Sequence, residues 1–383
     1  MKIIEVSAEA ILDSRGEKTI LVTIKTNVGD FSASSPSGKS TGKYEAKTYK
    51  KSIEGDIEKI KQMSEYFSEE IEEFDDLKKV EDILEKQVGA NTVFAFESAI
   101  LKAIAEEDSE EIWELINSKP ARFPRLVGNC IGGGKHSSLE KKPDFQEFEI
   151  IPDEKNVEKC FETSKRIKEK LKKILEEKDS KFSGKKNDED AWAVSLNEKE
   201  IIEILKKEKV PVGVDIAASS FYGWGKYKYE NPQFKRNKEE QLEYVSNLIK
   251  NLNLFYVEDP FEENDFESFA ELRARFPDTL IVGDDLTTTN PERLIKAINQ
   301  RSINAIIVKP NQIGSLIKVK EVCEIAKANN IKIVFSHRSG ETEETIIADL
   351  AFGFQADFLK CGITGSEREA KINRLIEIEK SFA

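Results

Sequence analysis

The chain has 383 residues, enough for a large core and about two domains, with 34% charged side chains and a formal net charge of −13 at pH 7. That acidity speaks against a nucleic-acid partner, which needs a basic face, and reads as a solvated surface. Four widely spaced cysteines (Cys130, Cys160, Cys323, Cys361) form no Cys-x-x-Cys and only two histidines are present, which speaks against a zinc site. The cysteine usage fits a reduced cytoplasmic setting. No basic-then-apolar leader opens the chain and no apolar run approaches membrane length, so no membrane partner is expected.

Residues 1–33 read as strands. Ile20, Val22 and Ile24 alternate with polar residues, and Asn27-Val28-Gly29-Asp30 is a turn before Phe31. Asp13-Ser14-Arg15-Gly16 lies between the first two strands, where turn chemistry and a structural, interdomain role are expected. The next stretch, Ser35-Pro36-Ser37-Gly38-Lys39-Ser40-Thr41-Gly42, contains Gly-Lys-Ser but is no nucleotide P-loop. That motif needs glycine at position 33, which is alanine, and a helix beginning at once. A Gly/Ser loop of this kind suits a mobile lid. Residues 52–118 are mostly helical, with Ile53, Ile57 and Ile60 and then Val80, Ile83, Leu84 and Val88 at helix-face spacing. Pro120 and Pro124 place a boundary near residue 125, giving a cap over 1–125 and a second domain over 126–383.

Asn129-Cys-Ile-Gly-Gly-Gly-Lys-His136 reads as a glycine-rich loop. Phe145, Phe148 and Ile150 suggest a strand that carries Gln146 and Glu147. A basic amphipathic helix follows over roughly 156–177, its lysine-rich face read as solvated. Another helix, from Glu198, leads into a strand ending at Asp215.

From there a pattern repeats. Short apolar runs ending at Asp215, Glu258, Asp284, Lys309, His337 and Lys360 are each followed by a helical pattern. Such runs read as strands buried on both faces, and strands alternating with helices read as parallel βα units of a barrel. Polar strand ends then meet at one face. Three carboxylates there (Asp215, Glu258, Asp284) form an oxygen-ligand site for a hard divalent cation, and the cations around them suit an anionic substrate. Ordinary strand-end polarity would not place acids and cations at the same point of each unit.

The residues that carry these features also carry a resemblance. Val-Gly-Val-Asp-Ile-Ala-Ala-Ser-Ser-Phe, Glu-Asp-Pro-Phe, Gly-Asp-Asp-Leu-Thr-Thr-Thr-Asn-Pro, Lys-Pro-Asn-Gln-Ile-Gly-Ser and Ser-His-Arg-Ser-Gly-Glu-Thr-Glu-Glu-Thr resemble the enolase family over nearly the whole chain. The resemblance implies an α/β fold, with an N-terminal α+β cap followed by an αβ, TIM-like barrel. It implies reversible dehydration of 2-phosphoglycerate to phosphoenolpyruvate with two Mg²⁺ per active site, in a cytoplasmic homo-oligomer, a dimer or higher. Asp215, Glu258 and Asp284 match ligands of the first Mg²⁺, and Ser40 matches a ligand of the second. Lys309 matches the base, for which a depressed pKa is expected from Mg²⁺ and Lys360. Glu189 matches the acid, assisted by Glu147, and His136 lies in the pocket. Gln146, His337, Arg338, Ser339 and Lys360 match substrate contacts.

The chain departs from the family at three places. Tyr44 stands where histidine is common. Gly132 replaces the second asparagine of Asn-x-x-Asn-Gly-Gly-x-His. Asn187-Asp188-Glu189-Asp190-Ala191 replaces Gly-Asp-Glu-Gly-Gly, so the acid loop loses its glycine pair. These departures leave open a paralogue acting on another β-hydroxy carboxylate. A non-catalytic binding protein is the third reading, although decay would have eroded ligands, base or acid first.

Overall fold

The computed structural model describes residues 1–39, 42–67 and 69–382. The cap opens with strands β1 (Ile3–Leu12), β2 (Lys18–Thr26) and β3 (Asp30–Ser34), an antiparallel sheet in that order. Alternation sorts its faces, and Ile20, Val22 and Ile24 are fully buried. Helices α1 (Ile53–Lys61), α2 (Leu77–Leu84) and α3 (Ala90–Asp108) follow. Ser52 caps α1 by accepting a bond from the Gly55 amide. Helix α3 is unlike the others: every residue from Ala90 to Leu101 is buried.

The second part holds β4 (Arg125–Gly132), β5 (Glu147–Ile150), α4 (Val157–Lys178), β6 (Trp192–Ala193), α5 (Glu198–Leu205) and β7 (Val212–Asp215). A small antiparallel sheet, β8 (Tyr222–Gly223), β9 (Lys226–Glu230) and β10 (Gln233–Arg236), interrupts before α6 (Lys238–Leu252). Regular units follow: β11 (Tyr256–Glu258), α7 (Phe266–Arg275), β12 (Leu280–Gly283), α8 (Pro291–Asn299), β13 (Ala305–Val308), α9 (Pro310–Ile313), α10 (Leu316–Ala328), β14 (Lys332–Ser336), α11 (Ile346–Gly353), β15 (Phe358–Lys360) and α12 (Ser366–Ser381). Asn156, Asn197, Asn237 and Asn290 cap α4, α5, α6 and α8, and Pro291 fills the first turn of α8.

Strands β4, β5, β7, β11, β12, β13, β14 and β15 close into a barrel through the β15–β4 pairing. One strand runs backwards: β5 is antiparallel to both neighbours, β4 and β7. One sequence expectation is corrected here: the segment expected as a glycine-rich loop from Asn129 is strand as far as Gly132. The six expected units pair in parallel, β7 and β11 to β15, and β5 joins them antiparallel.

Side-chain alternation now explains the site. The barrel interior is filled by Val127, Ile151, Tyr256, Val282, Ala305, Ile307, Val334 and Phe358. Two residues beyond several of these stand rim residues on the same face: Asn129, Glu258, Asp284, Lys309, Ser336 and Lys360. The reversed β5 enters at the rim, so Glu147 opposes Asp215, which in turn opposes Glu258.

Cap and barrel are stitched at that rim. The Ser14 amide donates to the Glu341 carbonyl at 2.7 Å, the Arg15 guanidinium reaches Ser37 and Ser339, and Ser37 and Gly340 exchange backbone bonds. Gly340 is required by this approach, since a Cβ there would sit 2.0 Å from Asp13 Oδ2. Among the described residues no helix is long and apolar enough to cross a membrane.

Candidate active site

The rim encloses a narrow cavity lined by Gly38, His136, Gln146, Glu147, Glu189, Lys309, His337, Arg338, Ser339 and Lys360. A neighbouring cavity of about 210 Å³ shares Gln146 and is lined by Asp215, Asp259, Asp284 and Asp285, with Lys43 and Lys135 also on its wall. Every site residue expected from the sequence and described in the structure therefore falls at one mouth of the barrel, Glu258 included through its pairing with Asp215. Ser40, expected on a second metal, lies outside the described residues.

Lys360 is the hub. Its ammonium, 3% exposed, lies 2.9 Å from Glu258, 3.0 Å from Glu149, 3.4 Å from Glu147 and 3.5 Å from Asp215. Burial alone would lower its pKa, but those carboxylates raise it well above the ordinary lysine value. Glu258 is pushed up to about 7 and Asp215 to about 6, chiefly by burial. The set is rich in buried carboxylates relative to cations, and Glu258 Oε1 has no hydrogen-bond partner among the described residues. Oxygen donors with spare lone pairs in an acid-rich pocket fit a hard divalent cation. Glu149 and Tyr256, whose hydroxyl donates to Glu258 at 2.5 Å, form the floor. Gly213 leaves room for both, since a Cβ would meet Glu149 Oε2 at 2.9 Å and the Tyr256 side chain at 3.1 Å.

Lys309 is paired with a carboxylate of the rim. Its ammonium sits 2.5 Å from Asp284. Burial lowers the pKa, but the Asp284 and Glu258 charges override burial and raise it above the ordinary lysine value. Asp284 answers in kind: burial raises its pKa, and Lys309 draws it below the usual carboxylate range.

Glu189 lies across the cavity. Asn129 Nδ2 donates to its Oε2 at 3.0 Å, His136 Nδ1 is 3.4 Å from Oε1, and His337 Nε2 is 3.8 Å from Oε2. Burial would raise its pKa, but the positive groups around it, Arg368 and Lys360 among them, lower it. Glu147 moves the other way, well above the usual range, through burial and then the Glu189 charge. The two carboxyls thus shift in opposite directions, Glu147 toward the protonated form and Glu189 toward the charged one.

Arg338 is held by the cap. Its guanidinium binds Glu45 through both carboxylate oxygens at 3.1 and 3.0 Å and Asn311 at 3.0 Å, and its amide donates to Glu341. A Cβ at Gly38 would overlap this guanidinium at 2.0 Å, so the loop passes over it only as glycine. The Lys39 amide donates to Ser339 Oγ at 2.8 Å, and the Lys39 ammonium reaches Asp188 at 2.5 Å. Tyr44 anchors the far side of this loop, donating to Asn264 and stacking on Arg293.

The altered acid loop has a local explanation. A Cβ at Gly132 would lie 1.9 Å from Asn187 Nδ2, so the Asn187 side chain fills the space beside position 132. Asn187 Oδ1 accepts from the Glu189 and Ala191 amides at 3.0 and 2.9 Å, tying the loop into an Asx turn. Asp190 takes φ +62°, a conformation that favours glycine. It is held there by Lys168, Lys186 and Thr364. The lysine-rich face of α4 is solvated as expected, with Lys159, Lys170, Lys172, Lys173 and Lys178 exposed, while Lys168 stands on the buried face beside Ser164, Ile167 and Leu171.

Sequence reasoning missed Glu45, Glu149, Tyr256, Lys168 and Arg368. Only Glu149 and Tyr256 left a signal, standing two residues from Glu147 and Glu258 on strands already recognised.

Two family models match this chain: the enolase N-terminal domain over residues 3–116 and the enolase C-terminal TIM barrel domain over residues 121–383. Curated relatives named enolase match it from end to end. That of Methanosphaera stadtmanae is 37% identical over 99% of this chain and 97% of its own length. That of Pyrobaculum aerophilum is 35% identical over 99% and 96%, and that of Methanocorpusculum labreanum 37% identical over the full length of both.

Proposed function

This chain belongs to the enolase family, and on that premise we propose how its own residues carry out the reaction. It is a lyase, phosphopyruvate hydratase, converting 2-phosphoglycerate to phosphoenolpyruvate. The observation that carries the assignment of roles is that Lys309 and Glu189 line one enclosed cavity together with His337, Arg338, Ser339 and Lys360. Asp215, Glu258 and Asp284 would hold one Mg²⁺, and Ser40 would contribute to a second. When bound, Mg²⁺ offsets the charge of these carboxylates and stabilises negative charge developing on the substrate carboxylate.

Lys309 takes the proton α to the carboxylate. With the Asp284 charge shared, burial and the nearby Arg338 and Lys360 cations favour its neutral amine. Lys360 holds the substrate carboxylate, and Arg338 and Ser339 take the phosphate, Arg338 exchanging Glu45 for it. Glu189 protonates the leaving hydroxyl. The substrate's own negative charge raises the Glu189 pKa, and Glu147 is the neighbouring store of the proton. Gln146, His136 and His337 line the same space. A cytoplasmic, glycolytic, homo-oligomeric enzyme with a cap over residues 1–125 and a barrel over 126–383 completes the reading.

The test is an assay with 2-phosphoglycerate and Mg²⁺, with and without chelator, joined to exchange of the α-proton with solvent deuterium. Lys309→Ala abolishes both dehydration and exchange, while Glu189→Gln blocks dehydration and spares exchange. General acid–base groups contribute about 10²–10⁴-fold, so both defects are measurable. Glu189→Gln turning over at the wild-type rate would transfer the acid role to Glu147.

A further inference from the structure

Arg368, in the first turn of α12, is among the largest fully buried side chains. One guanidinium nitrogen, Nη1, lies 2.7 Å from His337 Nδ1 and donates to the Arg338 carbonyl at 3.1 Å. The other, Nη2, donates to the Ser339 carbonyl at 3.0 Å and to the Asp188 carbonyl at 3.2 Å. Gly362 clears the path, since a Cβ there would sit 2.6 Å from Arg368 Cδ.

A guanidinium can only donate, so His337 Nδ1 can only accept. A neutral imidazole that accepts at Nδ1 carries its proton at Nε2. That nitrogen faces Glu189 Oε2 at 3.8 Å and has no hydrogen-bond partner among the described residues. We propose that Arg368 is a positioning residue that fixes His337 as the neutral Nε2–H tautomer, a permanent hydrogen-bond donor aimed into the cavity between Glu189 and the substrate. The same side chain joins the acid loop, through Asp188, to the Arg338–Ser339 segment. The charged groups around the His337 ring are Arg368, Glu189, Lys360 and Lys309; three are cations, and burial also disfavours imidazolium. His337 therefore neither competes with Glu189 for the transferred proton nor repels the phosphate-binding cations.

The catalytic part of this inference rests on the roles proposed above, but its first readout does not. The chain has only two histidines, so ¹⁵N-histidine labelling gives two rings, assigned with His136→Gln. The wild-type protein, without substrate, is expected to show His337 with bare Nδ1 and protonated Nε2, unchanged over roughly pH 5 to 8. A protonated Nδ1, or an ordinary titration in that range, overturns the proposal whether or not any variant folds. Arg368→Met should release the constraint, giving mixed tautomers or a titrating ring, and lower kcat about a hundredfold with less change in KM. Arg368→Lys, which restores a donor, should recover the tautomer. Loss of kcat in Arg368→Met with the tautomer unchanged would show a purely structural role and sink the idea. A failure of the wild-type protein to turn over 2-phosphoglycerate would instead refute the assigned reaction and leave the tautomer standing.

Discussion

Exchanging the residues at positions 132 and 187 tests whether two departures from the family pattern are one event. Asn187→Gly removes two hydrogen bonds, to the Glu189 and Ala191 amides. At roughly 1 kcal/mol each, plus roughly 0.5–1 kcal/mol for glycine's extra freedom, the turn should lose about 2–3 kcal/mol. Gly132→Asn alone places a side chain into Asn187 Nδ2 at 1.9 Å from its Cβ, an overpacking that costs about 1–3 kcal/mol. Independent effects would sum to about 3–6 kcal/mol. The double variant instead puts one amide back into the space the other vacated, so its cost should stay near 2 kcal/mol or less, a coupling of about 2–3 kcal/mol. Amide hydrogen exchange across residues 187–192 reads this directly, since each 1.4 kcal/mol of local stability is about tenfold in rate. Asn187→Gly should speed exchange there by about 30- to 100-fold, and the double variant should recover most of that, with dehydration activity following. A double variant as fast-exchanging as the sum of the singles would show that the asparagine was not transferred between positions but lost and gained for unrelated reasons.

Three further outcomes are expected. Lys168→Met strips Asp190 of its buried partner and should destabilise the acid loop by about 2–3 kcal/mol, less than a fully buried pair because Asp190 keeps Lys186; adding Asp190→Gly, which suits φ +62°, should restore much of it, read as apparent Tm and turnover. Glu198, buried beside Asp144, has its carboxyl pushed up to about 7, so its contribution to stability is whole below pH 4.5 and is lost as pH rises through 7; Glu198→Gln should remove that decline, gaining up to roughly 2–3 kcal/mol near pH 8 in denaturant titrations, and an unchanged pH profile would refute the shift. Lys360→Met leaves Glu147, Glu149, Asp215 and Glu258 without their shared cation and should lower apparent Tm more at pH 8 than at pH 5, because the carboxylates can take up protons at the lower pH.

The sequence announces this site for a physical reason. A strand buried on both faces must be apolar, so the first polar residue after each run marks the rim, and period two sets its direction. Tyr256 and Glu258, or Phe358 and Lys360, are two expressions of that rule. The same alternation is blind to chain direction, which is why the reversal of β5 could not be seen although Gln146 and Glu147 were recognised. Strand β4 was hidden by Gly128 and the glycines at 132–134. Lys168 and Arg368 fall on the apolar faces of α4 and α12 by helical spacing, but a long cationic side chain at such a position is ordinarily read as reaching for solvent, so their buried partners were hidden. The raised pKa of Lys309 depends on Asp284, a partner 25 residues away, and no local pattern carries that distance.

The burial of α3 on every side has a consequence for how the chain is made. One side of the helix is covered by β2 and β3, which precede it on the ribosome. Another side waits for the barrel: Asn91 pairs with Asn311, Ala90 packs against Gly314, and Glu97 accepts from the Leu316 amide at 2.6 Å. Those partners are synthesised about 200 residues later, which at roughly 5–20 residues per second is roughly 10–40 s of translation. For that interval the nascent chain carries an apolar helix with one bare side, a natural landing place for a chaperone. Limited proteolysis of stalled nascent chains should find α3 protected only once residue 316 has left the exit tunnel, and a fragment released at residue 125 should aggregate through that same side.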